Sequence, residues 1–110
     1  MKQKHFYSHL VQVNDITLDL AELDMTQEER LKLLALIDAN VHSTVIDTIL
    51  SELSEEEKKV FLKNMISDDH EAIWVHLKKN SKGIEDKIRL SVENLIKDMR
   101  QDIRRARLKR

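Results

Sequence analysis

The near absence of residues that reverse a chain constrains this sequence more than any other feature. Its 110 residues include one glycine, Gly83, and no proline. Folds rich in strands need glycine, proline and similar turn residues at short intervals, because each strand is followed by a tight reversal. The sequence therefore predicts an all-α fold.

The composition indicates a single small domain. Hydrophobic residues make up 41% of the chain and charged residues 35%, which is enough apolar material for one core. The absence of cysteine excludes disulfides and cysteine nucleophiles, and it fits a reducing, cytoplasmic location. The longest uninterrupted apolar run is 33–37, far below the roughly 20 residues of a membrane-spanning helix, so we expect no membrane association.

Two capping boxes predict helix starts in the middle of the chain. Thr26 precedes Glu29, and Ser54 precedes Glu57, by the three positions that let each pair satisfy free amides of a first helical turn. The first box opens a segment over 27–52 whose apolar residues recur every three or four positions. Valine, isoleucine and threonine are frequent over 41–49, so a break near Asn40 or a short strand is an alternative to the continuous helix that we favour.

The second half of the chain predicts three further helices, over 55–66, over 70–79 and from Ile84 onward. Asp68 or Asp69 is expected to cap the second of these, and Gly83 is expected to allow a positive φ before the last one. Few apolar residues follow Met99, so the C-terminal helix is predicted to project beyond the body.

The predicted architecture is a small helical bundle with two long helices and two or three shorter ones. We expect a flexible or loosely docked N-terminus over residues 1–17, a helical bundle domain over 18–103 and a basic C-terminal helix end over 104–110.

The order of features resembles a family of small uncharacterised bacterial proteins, a domain family of unknown function. The segment LDLAELDMTQEER precedes the long capped helix, and LSELSEEEKKVFLKNM and DDHEAIWVHLKKN follow it. The resemblance covers about residues 18–105 and implies a helical bundle. It implies no catalytic residue, because the family carries no assigned active site.

Candidate chemistry is sparse along the chain. Asp38 and His42 lie four residues apart, a spacing that lets a carboxylate orient an imidazole, although a surface hydrogen bond is the simpler interpretation. Trp74 is expected to be a core residue rather than an anchor for a partner. The histidines show no metal-ligand spacing, and one glycine cannot build a phosphate-binding loop, so we predict no catalytic residue, no metal, no cofactor and no small-molecule substrate.

The basic C-terminus is the strongest local signal. Residues 104–110 contain five cations and no acid, whereas residues 1–103 contain 14 cations and 20 acids. Such an end is either a solvated helix terminus, a contact for an acidic protein surface or a second copy, or an arm for phosphates. We favour a non-enzymatic protein–protein interaction module, with a nucleic-acid-associated accessory protein as the alternative. The candidate contact residues are Arg104, Arg105, Arg107, Lys109 and Arg110.

Overall fold

The protein is a small all-α bundle, as the turn-poor sequence predicts. The computed structural model describes residues 5–11 and 20–108, with side chains as far as Arg105. A 3-10 turn, Ser8–Leu10, precedes four α-helices: α1 (Gln27–Ser51), α2 (Glu55–Ile66), α3 (His70–Asn80) and α4 (Ile84–Leu108). Strands are absent from these described ranges, which confirms the all-α prediction.

Helix α1 starts at the first predicted capping box and runs without a break. The Glu29 N–H donates to the Thr26 hydroxyl at 3.1 Å, and the Thr26 N–H donates to the Glu29 carboxylate at 2.9 Å. The alternative of a break near Asn40 is wrong. The β-branched residues Val41, Val45 and Ile49 are all buried, so packing outweighs their lower helix propensity.

Helix α2 starts at the second predicted box, which is only half formed. The Glu57 N–H donates to the Ser54 hydroxyl at 3.3 Å. The Glu57 carboxylate is bonded to His76 of α3 instead of returning to the Ser54 N–H. Glu57, in the first turn of α2, therefore connects α2 to α3 through its side chain.

The two short connections have the expected caps. Asp69 accepts a hydrogen bond from the Ala72 N–H at 3.1 Å and so caps α3, while Asp68 has a φ of 53°. Gly83 has a φ of 74°, a conformation that favours glycine, and α4 begins at the next residue.

The core lies between two helix pairs. Helix α1 packs along α4, and α2 packs along α3. An ion pair of 2.8 Å between Glu52 and Lys87 joins the end of α1 to the start of α4, so the two long helices are antiparallel. The buried hydrophobic residues of the helices are Ile37, Val41, Val45, Ile49, Phe61, Ile73, Leu77, Ile84, Ile88 and Val92.

The long helices extend beyond the short ones. The turn between α2 and α3 lies beside His42, because Met65, Ile73 and His42 line one small cavity. The short helices thus cover α1 from about residue 42 onward. Residues 27–40 of α1 continue for about 20 Å at 1.5 Å per residue, and the molecule measures 50 × 26 × 21 Å. We call residues 27–40 of α1 and 95–105 of α4 the two-helix extension.

The predicted projection of the C-terminal helix is not confirmed. Met99 and Ile103 are partly buried and pack against the core cluster, as does Leu34 of α1. Since Glu52 lies opposite Lys87 in an antiparallel pair, Ile37 lies near the level of residue 102. Helix α1 therefore accompanies α4 past Met99.

Among the described helices, α1 is long and apolar enough to cross a membrane by length and composition alone. Its most apolar window has a mean hydropathy of 1.4. The expectation of no membrane association rests on uninterrupted apolar runs, which polar residues such as Asp38, His42 and Asp47 interrupt in this helix. A core helix passes the same length-and-composition test, so that expectation stays a prediction.

Candidate functional site

All four aromatic side chains of the protein meet around the N-terminal segment 5–11. The sequence contains two phenylalanines, one tyrosine and one tryptophan. The ring of Phe6 lies edge-on to Tyr7 at 5.2 Å, to Trp74 at 5.6 Å and to Phe61 at 5.9 Å between centroids. Phe6, Tyr7 and Leu10 are buried, so this segment completes the core.

Two long-range hydrogen bonds hold the segment in place. The indole N–H of Trp74 donates to the Phe6 carbonyl at 2.8 Å, and the Tyr7 hydroxyl lies 2.9 Å from Nδ1 of His42. Trp74 packs against the core, as expected. Within the segment predicted to be flexible or loosely docked, residues 5–11 are thus fastened to both α1 and α3.

The hydroxyl of Tyr7 keeps its proton at neutral pH. Burial, and then the negative charge of Asp38, raise the pKa of Tyr7 from 10.0 to about 12. The protonated phenol of Tyr7 can therefore donate a hydrogen bond to Nδ1 of His42, which lies 2.9 Å from the hydroxyl.

The four-residue spacing of Asp38 and His42 suggests that the carboxylate orients the imidazole. In the structure each of the two side chains has another partner. The Nδ1 atom of His42 is bonded to Tyr7, and Asp38 lies 3.9 Å from Nε2 of His5. His5 in turn stacks on the Tyr7 ring at 4.8 Å between centroids. The arrangement is a clamp that binds the N-terminal segment to α1.

The cavity beside this clamp is small. It has a volume of about 70 Å³, and its polar lining comes from His5, His42, Asp68 and His70. Asp68 accepts from His70 at 2.9 Å. The described residues contain no group of three histidines or carboxylates arranged to hold a metal ion.

Raising the pH should weaken the clamp through Tyr7. The folded-state pKa, about 12, lies above the unfolded value of 10.0. The stabilisation is therefore complete below pH 10 and is lost as the pH rises towards 12. We expect the difference in free energy of unfolding between the wild type and Tyr7→Phe to shrink across this interval, as measured by urea denaturation. Parallel pH dependences of the two proteins would show that the Tyr7 hydroxyl is not involved.

The basic C-terminus is described only in part. Arg104 and Arg105 are exposed on α4, and Arg105 lies 3.8 Å from Asp102 of the same helix. The side chain of Arg107 lies outside the described part of the structure, as do Lys109 and Arg110. Two of the five predicted contact residues are thus placed on the solvent side of the two-helix extension.

Exposed leucines also mark the extension. Leu31 is 57% exposed and Leu36 is 56% exposed. Leu31 precedes Asp38 by seven residues and His42 by eleven, so the three share one side of α1. The N-terminal segment and the α2–α3 turn cover this side at His42 and leave Leu31 uncovered.

Comparison of the chain with protein-family models, with curated proteins and with solved structures found no match. The resemblance to small bacterial helical proteins therefore stays a prediction.

Proposed function

We propose that the protein is a non-enzymatic protein–protein interaction module that binds a second copy of itself through the two-helix extension. The observation that supports this proposal is the uneven burial of the long helices. Ile84, Ile88 and Val92 of α4 are buried, whereas Met99 and Ile103, which continue the same seam, are only partly buried. The cysteine-free sequence supports a cytoplasmic location for the module.

An apolar seam that two helices share is incompletely covered unless further helices pack on it. In the body of the protein, α2, α3 and the N-terminal segment provide that cover. The extension has the same kind of seam, with Leu31 more than half exposed beside it. Exposed apolar side chains beside such a seam favour an interface.

A second copy suits this surface in shape and charge. Two antiparallel helix pairs pack into a four-helix arrangement, and a twofold axis lets each copy cover the other with the same residues. The basic residues 104–110 of one copy also complement the remainder of the other, which carries 14 cations and 20 acids.

The test is the oligomeric state of Leu31→Glu. The wild type should approach twice the monomer mass in sedimentation equilibrium as its concentration rises. Leu31→Glu should weaken this association by at least about tenfold, because the symmetric interface places two copies of the new charge in apolar contacts. The matched control is Leu90→Glu, since Leu90 is 59% exposed on α4 outside the extension.

Leu90→Glu should associate like the wild type. A wild type that remains a monomer at every concentration would contradict the proposal. Association that Leu31→Glu leaves unchanged would contradict it equally.

The alternative is a nucleic-acid accessory protein, favoured by the exposure of Arg104 and Arg105. Such binding would be tolerant of sequence and would fall steeply with salt. Fluorescence anisotropy with labelled single-stranded and double-stranded nucleic acid, comparing the full chain with residues 1–103, separates the two functions. That truncation keeps Ile103, which packs against the core cluster, and removes all five cations of the C-terminus. Binding at near-physiological salt that the truncation abolishes would favour the alternative.

A further inference from the structure

We infer that two copies of the protein dock through an exposed ridge of α1, with their α1 helices antiparallel and crossing at Ala39. This inference rests on the proposed self-association, and it names the helix face and the orientation of the partner copy. The ridge consists of residues that lie four apart along the helix: Leu31, Ala35, Ala39, Ser43 and Asp47. All five residues are exposed. We call them the α1 ridge.

Helix α1 is more apolar than its burial requires. Its most apolar window has a composition that would suit a membrane span, yet only 22% of that window is buried. The buried side chains of Ile37, Val41 and Val45 lie on the side of the helix opposite the α1 ridge. Leu36, next to the ridge, is 56% exposed. Contact with a second apolar surface would therefore stabilise the ridge side of α1.

The middle of the α1 ridge is formed by small side chains. Ala35, Ala39 and Ser43 let the axes of two packed helices approach to about 8 Å, the lower end of the usual range. Leu36 precedes Ala39 by three residues and Ser43 follows it by four. A twofold axis at Ala39 therefore places Leu36 of each copy beside Ser43 of the other. A large side chain meets a small one in both halves of the contact.

The charges at the two ends of the contact match those of a second copy. Lys32 precedes Ala39 by seven residues and Asp47 follows it by eight, so the same axis places Lys32 of each copy beside Asp47 of the other. The Lys32 side chain is 76% exposed and lies 3.6 Å from the exposed Glu28 of its own helix. The Asp47 carboxylate forms no ion pair or hydrogen bond with any described residue.

The same charges select the antiparallel orientation. In a parallel pair of α1 helices, Lys32 would lie beside Lys32 of the other copy and Asp47 beside Asp47. Like charges that face each other oppose association, whereas opposite charges favour it. The second copy therefore docks with its α1 helix reversed.

Two charge reversals test this contact by sedimentation equilibrium at low ionic strength. Lys32→Glu alone and Asp47→Lys alone should each weaken self-association by at least about fivefold, because each places like charges together at both ends of the contact. An equimolar mixture of the two variants should associate like the wild type. In the mixed dimer the new glutamate lies beside the new lysine, and the native Lys32 lies beside the native Asp47.

The matched control is the pair Lys59→Glu and Glu93→Lys. These variants change the net charge by the same amounts at exposed positions of α2 and α4, outside the α1 ridge. Each control variant, and their mixture, should associate like the wild type. Circular dichroism verifies the fold of every variant.

The outcomes separate this inference from the proposed function. Association of the wild type that neither reversal weakens, or that the mixture does not restore, would overturn the antiparallel α1 contact and leave the proposed function standing. A wild type that remains a monomer would contradict both. A monomeric wild type that sediments with phosphatidylcholine vesicles would make a lipid surface the occupant of the ridge instead of a second copy.

Discussion

Replacing Phe6 by alanine is expected to lower the free energy of unfolding by about 3–5 kcal/mol. Phe6 contributes a buried ring that touches Phe61 and Trp74, so its removal leaves a cavity between the N-terminal segment and both short helices. Urea denaturation measures the loss. The fluorescence of Trp74, the only tryptophan, reports the docking directly, since its indole donates to the Phe6 carbonyl.

Val75→Ala is the control for this substitution. Val75 lies next to Trp74 but is 63% exposed, so its truncation should leave the free energy of unfolding nearly unchanged. If Phe6→Ala costs no more than Val75→Ala, the N-terminal segment does not belong to the core.

Ile88→Ala and Ile103→Ala should differ in cost although they remove the same atoms from the same helix. Ile88 is completely buried, so we expect Ile88→Ala to lower the free energy of unfolding by about 3–4 kcal/mol. Ile103 is partly buried, so Ile103→Ala should lower it by only about 1 kcal/mol in the monomer. Chemical denaturation at low protein concentration measures both values.

The cost of Ile103→Ala should then rise with protein concentration, because a second copy covers Ile103 and stabilises the folded state by mass action. Equal costs for Ile88 and Ile103 at low concentration would contradict the uneven burial on which the proposed function rests.

The sequence predicts the helices well because their signals are local. Thr26, Ser54 and Gly83 act within a turn of their own helix, and the apolar period of α4 is set by its own residues. Together with Asp69, which caps α3, these features place the starts of all four helices. The apolar spacing also continues from Met99 to Ile103, which explains why α4 keeps packing where a free projection was predicted.

The clamp around the N-terminal segment was not predictable from such signals. The hydrogen bond between Tyr7 and His42 spans 35 residues, and the bond between Trp74 and Phe6 spans 68. The spacing along the sequence suggests Asp38 as the partner of His42, but the fold brings the Tyr7 hydroxyl to Nδ1 of His42. The available signal was the triplet Phe6, Tyr7 and Leu10, which is too short to define a helix by its period.

Amide hydrogen exchange at low and at high protein concentration is the most direct test of the central claim, that the two-helix extension is the surface on which a second copy docks. If a second copy docks there, amides of residues 28–38 and 96–105 exchange fast at low concentration and more slowly at high concentration, while those of residues 41–49 and 88–92 stay equally protected at both. Exchange in the extension that does not depend on concentration, or slowing confined to α2 and α3, would contradict it.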